Sequence, residues 1–264
     1  MLCTHIDEGT DDANTFLVRK TSYALGLAAT LALSGCQSGA DLGGLMSAGS
    51  SLAGAATMSD QQMQQLGDQT IAQLDSQNRL VADDSQYAQR LAKLTQGLET
   101  VDGHTLDYNV YLIEEMNAFA VPNGSIRLHS GLMDEMTDDE VRYVIAHEIG
   151  HVALGHSKRA FQVAYAASAA REAAAASGSN TAAALSSSEL GDLGEKLINA
   201  QFSQSQESAA DDYAIELMQR HDMNAEASVA ALRKMEAKYG NNSSVFSSHP
   251  AAGDRAERLE ASFQ

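Results

Sequence analysis

The sequence has no tryptophan, two prolines and two cysteines in 264 residues, and only 17 Lys and Arg stand against 35 Asp and Glu. Two cysteines, Cys3 and Cys36, cannot build a disulfide framework. So few prolines, with many alanines, point to a helix-rich chain. A net charge of −18 repels phosphate backbones, which excludes nucleic-acid binding as the main activity, and anionic membranes do not attract it by charge. No apolar run reaches the about 18 residues that cross a bilayer, so a polytopic membrane protein is excluded too. What is present, 44% apolar residues, suffices to fold one large domain or two small ones.

The N-terminal region reads as an address. Arg19-Lys20 precedes an almost uncharged, Ala- and Leu-rich stretch over 21–33, which closes on Leu33-Ser34-Gly35-Cys36. A basic flank, a short apolar segment and small residues before a cut have the form of a secretory signal peptide. The closing tetrapeptide resembles a bacterial lipobox, whose cysteine takes a diacylglycerol and becomes the new N-terminus. Gln37 after it resembles the sorting pattern of Gram-negative outer-membrane lipoproteins. The expected organisation is a lipoprotein signal peptide over 1–35, lipidated Cys36 with a Gly/Ser/Ala tether over 36–58, and a domain over 59–264. Cleavage takes two cations and four acids with it, leaving −16 and no free thiol, as suits an oxidising periplasm. The acids ahead of Arg19 fit a signal poorly, and translation is expected to begin near Leu17 or Val18.

Within the domain, Ser59 and Gln62 form a capping-box pattern before a helix carrying Met63, Leu66, Ile71 and Leu74. A second helical pattern covers Tyr87, Leu91, Leu94 and Leu98. Leu106, Tyr108, Val110 and Leu112 then alternate as a half-buried strand does. Segments 117–121 and 125–128 flank Pro122-Asn123-Gly124, a hairpin signal. Thr137 to Glu140 is another capping box, opening a helix that should stop near Gly155. Helices are expected over 191–220, 224–239 and 251–262. The Ala/Ser-rich segment 160–190, broken at Ser177-Gly178-Ser179-Asn180, reads equally as a flap over a cleft or as a surface helix pair.

Chemistry concentrates at His147-Glu148-Ile149-Gly150-His151. Two histidines at i and i+4 share a helix face and can reach one Zn²⁺, with Glu148 placed to take a proton from a metal-activated water. A third protein ligand is needed. His156 fails the metzincin spacing, which requires Gly at 154 and His at 157, where the chain has Leu154 and Ser157. Glu207-Ser208-Ala209-Ala210-Asp211 is the better source: its carboxylates are also i and i+4, so Glu207 would bind metal while Asp211 orients a ligand histidine. His104, His129 and His221 read as structural.

Asn117-Ala118-Phe119-Ala120, the 147–151 helix, Glu207 to Asp212, and Phe246 through His249-Pro250 to Arg255 together resemble the HtpX-like and CAAX-prenyl-protease-type zinc metallopeptidases. The likeness covers about 60–264. Gly191 to Leu197 with Gln201-Phe202-Ser203 is most similar to the family's bacterial outer-membrane lipoprotein branch. The resemblance implies an α+β, mainly helical gluzincin fold with a small mixed sheet beside the HExxH helix. It implies one zinc per chain on His147, His151 and Glu207, with Glu148 as general base. His249 would steady the oxyanion or fill a fourth coordination place at rest, and Arg255 would help hold the site. The strand around Asn117 and Phe119, or that around 126–129, would pair with an extended substrate. The implied activity is endopeptidase cleavage of misfolded or misassembled envelope proteins at the periplasmic face of the outer membrane. Outer-membrane assembly machinery or a sister metalloprotease would be its further partners. The alternative is a periplasmic chaperone with latent protease activity.

Overall fold

The computed structural model describes residues 58–175, 185–240 and 249–264. The expected signal peptide, Cys36, the expected tether up to residue 57, the break at 177–180 and Phe246 lie outside the described residues. Helix α1 (Asp60–Gln77) opens on the Ser59/Gln62 capping box, and α2 (Gln86–Leu94) on a Ser85 cap. The second helix ends four residues before Leu98 because Gly97 turns the chain with φ +84°. Short strands β1 (Thr100–Val101) and β2 (His104–Thr105) pair antiparallel.

Strands β3 (Asp107–Tyr111), β4 (Ala118–Ala120) and β5 (Ser125–His129) form a mixed sheet in the order β3-β5-β4. The expected hairpin is β4-β5, with Phe119 opposite Arg127, and the turn closes as Val121 N–H donates to the Ser125 carbonyl over 2.8 Å. β3 runs parallel to β5, with Tyr108 opposite Ile126. Strand β5 is buried along its whole length, which explains its apolar Ile126 and Leu128 and leaves Arg127 needing partners. That guanidinium, 2% exposed, is held by Asp75 of α1 and Asp107 of β3.

After α3 (Ser130–Glu135) come α4 (Asp138–Ala153), α5 (His156–Ala175), α6 (Ser187–Ile198), α7 (Gln204–Arg220), α8 (Ala227–Tyr239) and α9 (Ala252–Ser262). The stretch 191–220 thus holds parts of two helices, divided where Ser203 caps α7. Two apolar clusters result. The larger joins the sheet to α4, α7, α8 and α9; the smaller gathers Met63, Ile71 and Leu74 of α1 with Phe161 of α5 and Leu193 and Leu197 of α6. The described parts of segment 160–190 are helices, with Phe161 and Ala164 packed into the smaller cluster. The architecture is the mainly helical α+β fold with a small mixed sheet, and α4 lies against β4. No helix of the described residues is long and apolar enough to cross a membrane.

His129, at the end of β5, is 4% exposed and its Nδ1 has no hydrogen-bond partner among the described residues. Burial pushes its pKa down to about 4, only partly offset by a hydrogen bond to the Glu115 backbone. An unfolded histidine titrates near 6.5, so between those values the unfolded chain binds the extra proton and stability falls as pH falls. Replacing His129 with Gln should flatten the loss of unfolding free energy between about pH 6.5 and 4 by roughly one proton, read from urea melts across that range.

Candidate metal centre

Helix α4 starts where Thr137 and Glu140 satisfy each other's N–H groups and three acids sit at its positive end. One buried side of it then carries His147, Glu148 and His151, which are 4%, 2% and 0% exposed. Helix α7 starts on the equivalent Ser203/Gln206 box and carries Glu207 and Asp211, both fully buried. The two helices pack closely because residue 150 is glycine: a Cβ there would lie 3.1 Å from the Ala210 carbonyl oxygen. Two i, i+4 pairs are thereby brought face to face.

The imidazole Nε2 atoms of His147 and His151 stand 3.1 Å apart. Glu207 places one oxygen 3.5 Å from the first and the other 3.4 Å from the second. His249, delivered from just before α9, brings Nδ1 to 3.4 Å from His147 Nε2 and 3.1 Å from Glu207 Oε1. Four donors bound tetrahedrally at about 2.0–2.1 Å lie about 3.3 Å from one another, so these separations fit a single small cation. Among the described residues, His147, His151, Glu207 and His249 form a group whose ligand atoms all lie within 4.8 Å of each other. Their chemistry, imidazole nitrogen with a carboxylate, is that of a first-row divalent metal site.

Around these donors lies a second ring of contacts. Asp211 Oδ1 is 3.0 Å from His147 Nδ1 and also accepts the Tyr143 hydroxyl over 2.6 Å. Arg255 donates Nε to Asp211 over 2.9 Å and reaches Glu207 Oε2 with Nη1 at 2.5 Å. Glu148 Oε1 faces His249 Nε2 at 3.3 Å. Phe202 lays its ring 4.0 Å from that of His151 and stacks 5.6 Å from that of His249. A cavity of about 20 Å³, room for one water-sized group, opens against Ala118, Tyr143, His147, Glu148, His249 and Arg255.

The electrostatics of the site demand positive charge. Burial alone would raise the Glu207 and Asp211 carboxyls, yet His249 and Arg255 around the first, and Arg255 beside the second, hold both well below the ordinary range. Burial opposes a proton on His147 and His249, but their carboxylate neighbours outweigh it and raise both. His151 is different. Burial pushes it down to about 4, so it is a neutral ring with a free lone pair. Burial would likewise raise Glu148, but the charge of His249 outweighs that and keeps it anionic.

The structure gathers His147, Glu148, His151, Glu207, Asp211, His249 and Arg255 in one place, as the sequence reading expects. Asn117 directly precedes β4 and Phe119 lies within it; among the described residues the one hydrogen-bonded neighbour of β4 in the sheet is β5, so the sheet has its edge there. His104 and His221 lie outside the cluster, as does His129. Sequence reasoning missed Tyr143 and Phe202. The first stands one turn before His147 on the same helix face, a spacing that could have exposed it.

An HExxH helix crossed by an ExxxD helix, with four donors converging and an anionic glutamate beside them, is the site of a metal-dependent peptidase. The chain belongs to peptidase family M48, whose pattern matches residues 83–262. It is therefore a metalloprotease. It is 42% identical to metalloprotease LoiP of Escherichia coli over 229 residues, 86% of this chain and 90% of that protein. It is 38% identical to metalloprotease YcaL of the same organism over 247 residues, 92% of this chain and 97% of that one. Protease HtpX of Haemophilus ducreyi shares 42% identity over a shorter stretch of 53 residues, 19% of this chain and 18% of that protein. The family pattern begins after α1, while the likeness to LoiP and YcaL spans most of the chain.

Removing Arg255 would leave Glu207 and Asp211 buried without their cation. Arg255→Ala should cost about 3–5 kcal/mol of unfolding free energy, and Tyr143→Phe about 1–2 kcal/mol. Urea unfolding of chelator-treated protein measures both, and an Arg255→Ala loss no larger than that of Tyr143→Phe would contradict the charge argument.

Proposed function

We propose that this metalloprotease is a zinc endopeptidase that degrades misfolded or misassembled envelope proteins, anchored by a lipid on Cys36 at the periplasmic face of the outer membrane. The observation that carries the zinc reading is the convergence of His147, His151, Glu207 and His249 donors at separations of 3.1–3.5 Å. The lipobox-like Leu33-Ser34-Gly35-Cys36, Gln37 and the Gly/Ser/Ala tether support the anchoring and the location.

Zinc, when bound, polarises the scissile carbonyl and makes water nucleophilic near neutral pH. The chain's own groups do the rest. Glu148, anionic and 2% exposed, accepts the attacking water's proton on a carboxylate oxygen and hands it to the departing amine nitrogen. Asp211 accepts from His147 Nδ1 and so fixes that ring's donor nitrogen toward the centre. Strand β4, with Asn117 and Phe119, offers its edge to an extended substrate, which binds through main-chain hydrogen bonds whatever its sequence. That suits a protease acting on misfolded clients.

His249 has two parts to play. At rest it occupies the fourth donor position; once a substrate displaces it, its ring N–H steadies the carbonyl oxygen as negative charge builds there. The backbone supports displacement. Unlike the other three donors, His249 stands on no helix, and Ala251, two residues on, holds a left-handed φ of +59° that an alanine adopts at a cost.

Glu148→Gln should lower kcat/KM for casein about 10²–10⁴-fold while bound zinc stays near one per chain. Undiminished cleavage would refute the mechanism, and unchanged rescue of envelope defects in cells would favour a chaperone. His249→Ala should change turnover several-fold, upward if its resting position dominates and downward if oxyanion support does. Activity equal to the parent's would dispose of both roles.

A further inference from the structure

His156, rejected above as a metal ligand by its spacing, stands nevertheless against the centre. Helix α4 ends at Ala153, Gly155 reverses the chain with φ +71°, and His156 opens α5 directly behind His151. Its Nδ1 lies 3.1 Å from His151 Nδ1. His151 points its other nitrogen, Nε2, at His147 and Glu207. A neutral imidazole that offers a lone pair from Nε2 must carry its proton on Nδ1, and that N–H needs an acceptor. Among the described residues the partner at that atom is His156 Nδ1.

The geometry points to His156 as the positioning residue of His151: its Nδ1 lone pair accepts the His151 Nδ1–H, fixing the tautomer and rotation that aim Nε2 at the metal. His156 itself then carries its proton on Nε2. The pairing completes a symmetry, since Asp211 does the same for His147 from the opposite helix, 3.0 Å from that ring's Nδ1. Phe202 shields the contact, its ring 4.0 Å from that of His151 and 6.3 Å from that of His156. Position 156 is thus selected for an acceptor at the Nδ1 place, which asparagine Oδ1 can also supply and leucine cannot.

The inference rests on the metal-site reading above, and its test separates the two. Zn²⁺ affinity of the full chain is measured by competition with a chromophoric chelator for the parent, His156→Leu, His156→Asn, His147→Ala and Glu207→Ala. His156→Leu should weaken Zn²⁺ about 10–100-fold, and His156→Asn should recover most of that loss. Zinc-loaded His156→Leu should lose kcat on casein with KM little changed, and chelator-treated forms should melt like the parent. If His147→Ala and Glu207→Ala lose zinc but His156→Leu binds as the parent does, or if His156→Asn is as weak as His156→Leu, the positioning role is overturned and the metal site stands. If none of the four loses zinc, the metal-site reading itself falls. Should the leucine variant not fold, imidazole ¹⁵N–¹H spectra of the zinc-loaded parent decide: a proton on His151 Nδ1 and none on His156 Nδ1 supports the assignment, and a proton on His156 Nδ1 overturns it.

Discussion

Three carboxylates, Glu148, Glu207 and Asp211, are buried to 2% exposure or less, and among them one buried guanidinium, that of Arg255, pairs with Glu207 and Asp211. Charge so far from water must be balanced nearby, because its desolvation costs several kcal/mol per ion. Arg258 helps Asp211 only from the rim, at 3.4 Å and one-third exposed. Two negative charges therefore remain to be met at the cluster. Protons on His147 and His249, which their carboxylate neighbours favour, balance them when no metal is bound, at the cost of facing His147 Nε2 and His249 Nδ1 at 3.4 Å. A single divalent cation balances the same charge with every facing nitrogen acting as a lone-pair donor. The α4–α7 packing, the Arg255 bridge and the position of α9 all follow from keeping this charge set dry and neutral.

Helix register is what makes such a centre possible. His147 and His151 are one turn apart on α4, Glu207 and Asp211 one turn apart on α7, so two parallel rows can meet rung by rung. The rows meet only if the axes approach closely, and Gly150 against Ala210 is where they do. Capping boxes at Thr137 and Ser203 fix where each helix begins and hence which face each row occupies. A slip of one residue on either helix would turn a ligand about 100° away from the cation.

Features carried by short stretches of chain were legible before any fold was known. The capping boxes at Ser59 and Thr137, the Pro122-Asn123-Gly124 turn between β4 and β5, the HExxH pair and the ExxxD pair all announce themselves within a few residues, whereas the Ser203 box that divides 191–220 emerges only in the fold. What the sequence does not display is pairing across distance. Nothing in Asp107 to Tyr111 says that this strand runs parallel to β5 rather than beside its sequence neighbour, since register is settled by the common core beneath. Nothing in 125–128 says that Arg127 is buried; it is so because Asp75 and Asp107 arrive from two other elements to meet it. The same holds in the site: Glu207 could be proposed from its spacing, but Phe202 over His151 is visible only once the linker before α7 is seen to cross the metal cluster.

The donors also differ in how firmly the fold holds them. His147 sits inside α4, His151 in its last turn and Glu207 in the first turn of α7, on two capped helices whose apolar faces share the main core, so that shifting either helix means breaking much of that core. His249 comes from outside any helix, tied to the cluster by its contacts with Glu207, Glu148 and Phe202 and followed at once by Pro250 and a left-handed Ala251. Rotating His249 away costs those few contacts and leaves the three helical donors and Asp211 undisturbed, whereas moving any helical donor costs α4 or α7. A protease must expose one place at its metal to substrate without loosening the metal itself. Three donors built into the core and one hung on a strained link divide those two requirements between different parts of the chain.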